Sequence, residues 1–366
     1  MPASDKQVLI NGMGYLSGYT GYNIHSRNFF KALAKLYDLV TLDLRYFPDN
    51  ESDHVNKINH FAASLEILNI MINYGSAMGL LGAYPGLKIG YTVWESTKIP
   101  DDWLAPLKGT DRIWIPSHWG KEVLVANGFD RDKIDVVPEG VDPGLFNPNR
   151  EKIAKLTDHP AYKFLFLGKY EERKFTKELV IAFDEEFKDD EDAVLILACF
   201  NPFVEGFDIR QIVNNMGLSR PDKIYYFAPT ERHEDIARLY VSCDAFVFPT
   251  RAEGWGLPII EAMACGLPTI VTDHSGQSEF VNENNAYLLK YSLEPITEPF
   301  FLSASGDYGL WARPDIEHLK SLMRKIFEEQ AGAKEFGLKA SRDILRNWTW
   351  AKAAEKASKH IERLIR

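Results

Sequence analysis

Two glutamates, Glu253 and Glu261, bracket the turn Gly254-Trp255-Gly256-Leu257-Pro258, and residues of these types at this spacing could hold an anion beside a polyol. The apolar run Ala245-Phe246-Val247-Phe248 leads in as a strand, and a short helix pattern follows. Pro258 suits the first helical position, because its missing N–H and fixed φ cost nothing there. Glu253 is then expected in the loop and Glu261 in the first turn of the helix. Small residues, free backbone N–H groups and a helix N-terminus are the usual means of holding a phosphate. Two carboxylates beside such a site suit a ligand that is part phosphate and part sugar, as a nucleotide sugar is. A plain loop–helix junction with solvated glutamates would explain either Glu alone but not so varied a string.

Residues 248–279 resemble the Glu-x7-Glu signature of retaining glycosyltransferases of the GT-B fold, specifically glycosyltransferase family 4. The match runs through Glu253, Gly254, Trp255, Gly256, Leu257, Pro258, Glu261, Ala262, Ala264, Gly266 and Pro268. The resemblance implies an α/β protein with two Rossmann-like domains facing each other across a cleft, and a C-terminal helix crossing back to the N-terminal domain. An acceptor-binding domain would span 1–145 with helix 348–366, and a nucleotide-sugar-binding domain 146–347. It also implies transfer of a hexose, with retention, from a UDP- or GDP-linked sugar to a hydroxyl of a glycan, a lipid-linked acceptor or a small molecule. Glu261 would hold the ribose hydroxyls. Glu253, Gly254 and the Trp255, Gly256 and Leu257 amides would hold the sugar and the β-phosphate region. No cofactor and no essential metal are implied.

After the strand Phe164–Leu167 comes Gly168-Lys169-Tyr170-Glu171-Glu172-Arg173-Lys174-Phe175. The family places two basic residues here on the donor diphosphate. Lys169 and Lys174 occupy those positions, with Lys for the usual Arg at the first and Phe175 for the usual glycine. Fixed cations stabilise a departing diphosphate more than its ground state. A charged surface loop is the alternative, since Glu171, Glu172 and Arg173 share the stretch. Near the N-terminus, Asn11-Gly12-Met13-Gly14 and Gly18-Tyr19-Thr20-Gly21-Tyr22 form a glycine-rich strand-to-helix turn. Its spacing is wrong for a dinucleotide fingerprint, and no ribose-binding acid follows about 20 residues on. In the resembled enzymes this loop reaches the diphosphate and the acceptor, a role that Thr20 and Gly21 suit.

The departure lies at Tyr91-Thr92-Val93-Trp94-Glu95. Where many members carry His-Asp, this chain has Trp94-Glu95. Either Glu95 accepts a hydrogen bond from a substrate hydroxyl, or it pairs with a nearby base while Trp94 packs. The expected catalytic set is Glu253, Lys174, Lys169 and Glu95. Other readings stay open: a phosphorylase or epimerase on the same fold, or a silent sugar-nucleotide or glycan binder. Ser117 is expected to cap a helix that His118 opens. Asp130-Arg131-Asp132 and Asp190-Glu191-Asp192 spell a metal motif of a different fold but sit in charged, turn-like stretches.

The elements that must position these residues alternate strand and helix along 366 residues, enough for two domains. Expected strands are Val8–Ile10, Val40–Leu44, Ile89–Val93, Ile113–Ile115 and Ile134–Val137. A second series follows with Phe164–Leu167, Val194–Ala198, Lys223–Phe227, Ala245–Phe248, Thr269–Val271 and Ala286–Leu289. Helices are expected at Tyr22–Leu36, Lys121–Asn127 and Trp350–Ile365. The Pro/Gly-rich stretch Pro138–Pro148 reads as a linker, and Tyr291–Arg313 interrupts the alternation with aromatics that could line an acceptor groove or pack. With 45% hydrophobic and 26% charged residues the chain reads as a globular protein, and its net charge of −10 argues against nucleic acid as a partner. Cys199, Cys243 and Cys265 read as buried thiols in a reducing compartment. With a leader sequence neither evident nor expected, the cytoplasm is the expected location. The final helix carries Lys352, Lys356, Lys359, Arg363 and Arg366 against Glu355 and Glu362. That face is either solvated or in weak peripheral contact with anionic lipid at the inner membrane face.

Overall fold

Short runs of Val, Ile, Leu and Phe, separated by helix-period segments, form parallel strands covered on both faces. The structure, a computed structural model, describes residues 8–46, 66–189, 192–228, 230, 232–297 and 307–366. It has two compact units. One takes Met1–Gly140, Thr297–Gly309 and Trp348–Arg366; the other takes Val141–Ile296 and Leu310–Asn347.

In the first unit, β1 (Val8–Gly14), β2 (Asp38–Asp43), β3 (Glu66–Ile72), β4 (Leu87–Tyr91), β5 (Arg112–Ile115) and β6 (Ile134–Val136) form one sheet in the order β2-β1-β3-β4-β5-β6. Every pairing in it is parallel. Helices α1 (Gly21–Leu33), α2 (Asp101–Lys108) and α3 (His118–Ala126) cover it. Ser117 caps α3, its Oγ accepting the Gly120 N–H at 3.1 Å. Strand β3 is missing from the sequence expectations, although it lies between β1 and β4. Its apolar run is broken by Asn69, which is fully buried. Asn69 stands opposite Asn11 of β1, accepts a hydrogen bond from its side-chain amide at 3.0 Å, and donates to Pro85 O and Leu87 O. Partners 16, 18 and 58 residues away satisfy it.

In the second unit, β7 (Tyr162–Lys169), β8 (Ala193–Phe200), β9 (Ile224–Tyr226), β10 (Ala245–Phe248), β11 (Thr269–Thr272) and β12 (Tyr287–Leu289) form a parallel sheet in the order β12-β11-β10-β7-β8-β9. The covering helices include α4 (Thr176–Glu186), α5 (His233–Ser242), α6 (Leu257–Ala264), α7 (Ile316–Glu328) and α8 (Gln330–Asn347). Phe164, Phe166, Phe246 and Phe248 are fully buried across the two central strands, with Phe166 and Phe248 stacked at 5.3 Å.

The interrupting segment resolves at its ends into an antiparallel hairpin, β13 (Tyr291–Pro295) paired with β14 (Leu310–Pro314). Its residues 298–306, Phe300 and Phe301 among them, lie outside the described residues, as do residues 1–7 and Asp190-Glu191 of the second Asp-x-Asp. The last helix, α9 (Trp350–Leu364), belongs to the first unit. Trp350 stacks on His25 of α1 at 5.8 Å, and the Tyr37 hydroxyl meets Ser358 Oγ at 2.7 Å. All three cysteines are buried and unpaired, and no described helix is long and apolar enough to cross a membrane.

Candidate active site

Loops at the carboxyl ends of β7, β10 and β11 build a charged cluster within the second unit. Glu253 follows β10 and is 5% exposed. Its backbone is fastened to the loop after β11: the Glu253 N–H donates to Ser275 Oγ at 2.9 Å, and the Gly276 N–H donates to Glu253 O at 2.9 Å. A Cβ on Gly276 would lie 2.0 Å from Gly254 O, so only glycine permits this approach.

The Glu253 side chain is held through one oxygen. Oε1 accepts from Lys174 Nζ at 2.6 Å, from Thr250 Oγ1 at 2.7 Å and from Arg173 Nη1 at 3.1 Å. Among the described residues Oε2 takes no hydrogen bond. Burial opposes the charge, yet the Lys174 and Arg173 cations and these hydrogen bonds bring the carboxyl below its ordinary range. Burial, reinforced by Arg173, lowers the Lys174 ammonium. Lys169 Nζ lies 2.6 Å from Glu171 Oε2, and Arg173 Nη2 donates to Glu171 Oε1 at 2.7 Å. Burial would raise Glu171, but the charges of Arg173, Lys174 and Lys169 take it down to about 2.

Lys174 is a buried ion-pair partner of Glu253. Arg173, assigned from sequence only to a charged loop, is the third arm of the cluster. The Glu171-Glu172-Arg173-Lys174 run has no periodicity that would say which charges face inward. Lys169, with a side chain 32% exposed, is the most accessible of the three cations. Three cations against two carboxylates leave the cluster one positive charge in excess.

The turn after Glu253 ends at Gly256, in the left-handed region at φ 99°, and α6 starts at Leu257 with Pro258 second. Glu261 is therefore in the second turn of α6, not the first. Among the described residues the Gly254, Gly256 and Leu257 amides take no protein acceptor. Trp255 contributes its ring to the core, 2% exposed and 4.8 Å from Phe280. Glu261 is buried beside Tyr240, whose hydroxyl is 3.4 Å from Oε2. Burial pushes its carboxyl up to about 8, against the lowering effect of that hydroxyl. The two signature glutamates thus differ in charge state: Glu253 is ionised, and Glu261 holds its proton near neutrality.

The remaining expected residues lie in the first unit. Thr20 and Gly21 are exposed at the start of α1, with open space where a Gly21 Cβ would be. Glu95 follows β4 and is half-buried. Burial raises the Tyr22, Tyr74 and Glu139 side chains, and the charge of Glu95 adds to each. Tyr22 and Tyr74 meet edge-on at 4.6 Å, and the Tyr22 hydroxyl lies 3.3 Å from Thr92 Oγ1. His25 Nδ1 is 3.4 Å from Glu139 Oε1, and burial acts against charge on both, lowering His25 to about 3 and raising Glu139. Trp94, at the family histidine position, is a core residue. It is 2% exposed, donates Nε1–H to Lys98 O at 2.6 Å and lies 4.7 Å from Trp103. Asp130 closes a local turn by accepting the Asp132 N–H at 3.0 Å. Among the described residues no group of three or more His, Cys, Asp or Glu could hold a metal.

Residues 149–293 match the family model for glycosyl transferases group 1. The chain is 28% identical over 173 residues to D-inositol 3-phosphate glycosyltransferase of Paenarthrobacter aurescens, covering 46% of this chain and 42% of that protein. It thus spans about two fifths of the length of the curated relatives it matches. Among solved structures, sucrose-phosphate synthase from Thermosynechococcus elongatus superposes with a TM-score of 0.70 at 16% identity, over 98% of this chain and 99% of that one. Anabaena Alr3699/HepE, solved with UDP-glucose, gives 0.68 at 15% identity over 98% and 99%. Over residues 149–293 the chain is thus similar to the glycosyl transferases group 1 family, and its fold is GT-B.

Proposed function

We propose that the protein is a retaining family 4 glycosyltransferase that moves a hexose from a nucleoside diphosphate sugar to a hydroxyl of a glycan, a lipid-linked acceptor or a small molecule. The observation that carries this reading is the Glu253 carboxylate, ionised and pinned through Oε1 while Oε2 takes no hydrogen bond among the described residues. A preoriented carboxylate of this kind suits a sugar hydroxyl, and the Gly254, Gly256 and Leu257 amides beside it suit phosphate oxygens. Glu261, protonated near neutrality, can donate to one ribose oxygen and accept from another. The solved neighbour bound to UDP-glucose supports a uridine donor.

In the reaction, the bond between the anomeric carbon and the diphosphate oxygen breaks while the acceptor oxygen bonds to the same face. The acceptor proton passes to the departing phosphate. Lys169 exchanges Glu171 for the diphosphate, with Arg173 and Lys174 behind it, and this charge serves in place of a metal. Thr20, Gly21 and Glu95 serve the acceptor and the donor hydroxyls. The protein works in the cytoplasm or peripherally at the inner membrane face. Support for the peripheral contact is a basic groove of about 410 Å³ between α3, β6 and α9, lined by Lys121, Arg131, Lys356, His360 and Arg363.

Incubation with UDP-, GDP- and ADP-sugars, with and without acceptor mixtures, tests the proposal. Nucleotide release with an anomerically retained product is the expected result. A silent binder is the second reading, favoured by the burial of Trp94, which leaves the family histidine's sugar contact unmade; binding of nucleotide sugar without turnover would establish it. Phosphate-dependent release of sugar 1-phosphate would point to a phosphorylase.

A further inference from the structure

The hairpin β13–β14 touches both loops that hold Glu253. On one side Tyr291 of β13 lies 4.9 Å from His274, next to Ser275, whose Oγ accepts the Glu253 N–H. On the other side the contact runs through Arg251. Its guanidinium lies over the Trp311 ring of β14 at 4.9 Å and over the Phe175 ring at 5.1 Å. Its Nη1 pairs with Glu294 of β13 and lies 3.6 Å from Glu172 Oε1. Its backbone joins the same parts: the Arg251 N–H donates to Arg173 O at 2.7 Å, and Arg251 O accepts the Ala312 N–H at 2.9 Å.

Phe175 closes the loop that carries Arg173 and Lys174. It is buried and adopts a left-handed backbone conformation, φ 57°, that favours glycine. A planar cation held between two aromatic faces offsets that strain and occupies a position that a glycine would leave empty. Every group named here belongs to the second unit.

We infer that the hairpin is a positioning element of the donor site, with Arg251 clamped between Trp311 and Phe175 setting the Arg173–Lys174 loop against Glu253 for a nucleoside diphosphate. The inference rests on the function proposed above. It gives the interrupting segment a role on the donor side, whatever its remaining residues do.

Calorimetric titration of the full chain with UDP and with uridine, alongside melting temperatures, tests it on Arg251→Lys, Trp311→Leu and the near-isosteric Glu294→Gln. Arg251→Lys keeps the charge and loses the planar stack. Each variant is expected to weaken UDP about tenfold, equivalent to one well-desolvated cation–aromatic contact, with uridine affinity unchanged. Adding Phe175→Gly to Arg251→Lys is expected to bring no further loss, because both act through one contact. Unchanged UDP affinity in Glu294→Gln and Arg251→Lys, or equal losses for UDP and uridine, would overturn the positioning role and leave the proposed function standing. Failure of the unsubstituted chain to bind UDP, GDP or ADP would overturn both.

Discussion

The Lys174 ammonium lies 2.6 Å from Glu253 Oε1, with side chains only 9% and 7% exposed. The pair joins the loop after β7 to the loop after β10; the Glu253 charge is stabilised by Lys174 and Arg173, and the Lys174 charge by Glu253 and Glu171 against the repulsion of Arg173.

Removing one partner is therefore expected to cost far more than removing both. Lys174→Met leaves Glu253 buried against Arg173 alone and should destabilise the fold by about 3 kcal/mol or more. The double variant Lys174→Met/Glu253→Gln should recover a substantial part of that loss while remaining inactive. Urea unfolding of the four proteins in the cycle measures this. Additive losses would mean that the two side chains contribute independently.

Glu261 makes stability depend on pH. Its carboxyl rises from 4.5 to about 8 on folding, so between those values the folded chain binds more protons than the unfolded one. Its contribution is accordingly full below pH 4.5 and is lost as pH rises to about 8, at up to about 1.4 kcal/mol per pH unit. Glu261→Gln should flatten this dependence. Unfolding free energies compared at pH 5 and pH 8 give the difference in slope, and parallel profiles for the two proteins would refute the assignment.

Glu95 stands close enough to affect Tyr22, Tyr74 and Glu139. If it binds a substrate hydroxyl, Glu95→Gln should lower turnover about 10- to 100-fold, the worth of a charged hydrogen bond. The melting temperature should change little. Steady-state kinetics with saturating donor provide the measurement, and unaltered turnover would sink the role.

The basic groove between α3 and α9 should make vesicle binding depend on salt. Its carboxylates are already engaged: Glu122 with Arg131, and Asp135 with Arg112 and His360. Flotation with phosphatidylglycerol vesicles is expected at low ionic strength and should vanish near 1 M salt, where screening acts within about 3 Å. Lys356→Glu/Arg363→Glu should abolish it at all salt concentrations. Equal flotation with neutral vesicles would rule out an electrostatic contact.

Much of the fold was legible because it follows from local pattern. The strands of the second unit sit where apolar runs are bounded by turn residues, and Pro258 and Gly256 mark the start of α6 within a residue. The signature around Glu253 and Glu261 pointed to the glycosyltransferases whose family model matches residues 149–293, because its backbone demands are local: a left-handed glycine, a proline without an N–H and a helix start. Strand β3 was not legible, since Asn69 reads as polar until Asn11 is placed opposite it. Nor could sequence assign the charges. Lys174 and Glu253 are 79 residues apart, and Arg173 looks no different from its neighbours until the β7 and β10 loops meet. Phe175 read as a departure from the family pattern, because the Arg251 and Trp311 groups that cover it come from other parts of the chain. The sequence by itself determined the sheet-and-helix order and the chemistry of the signature, both of which depend on neighbours along the chain. Tertiary structure alone decided which charges pair, which aromatics are core and what braces the site, because those depend on the desolvation and proximity that packing creates.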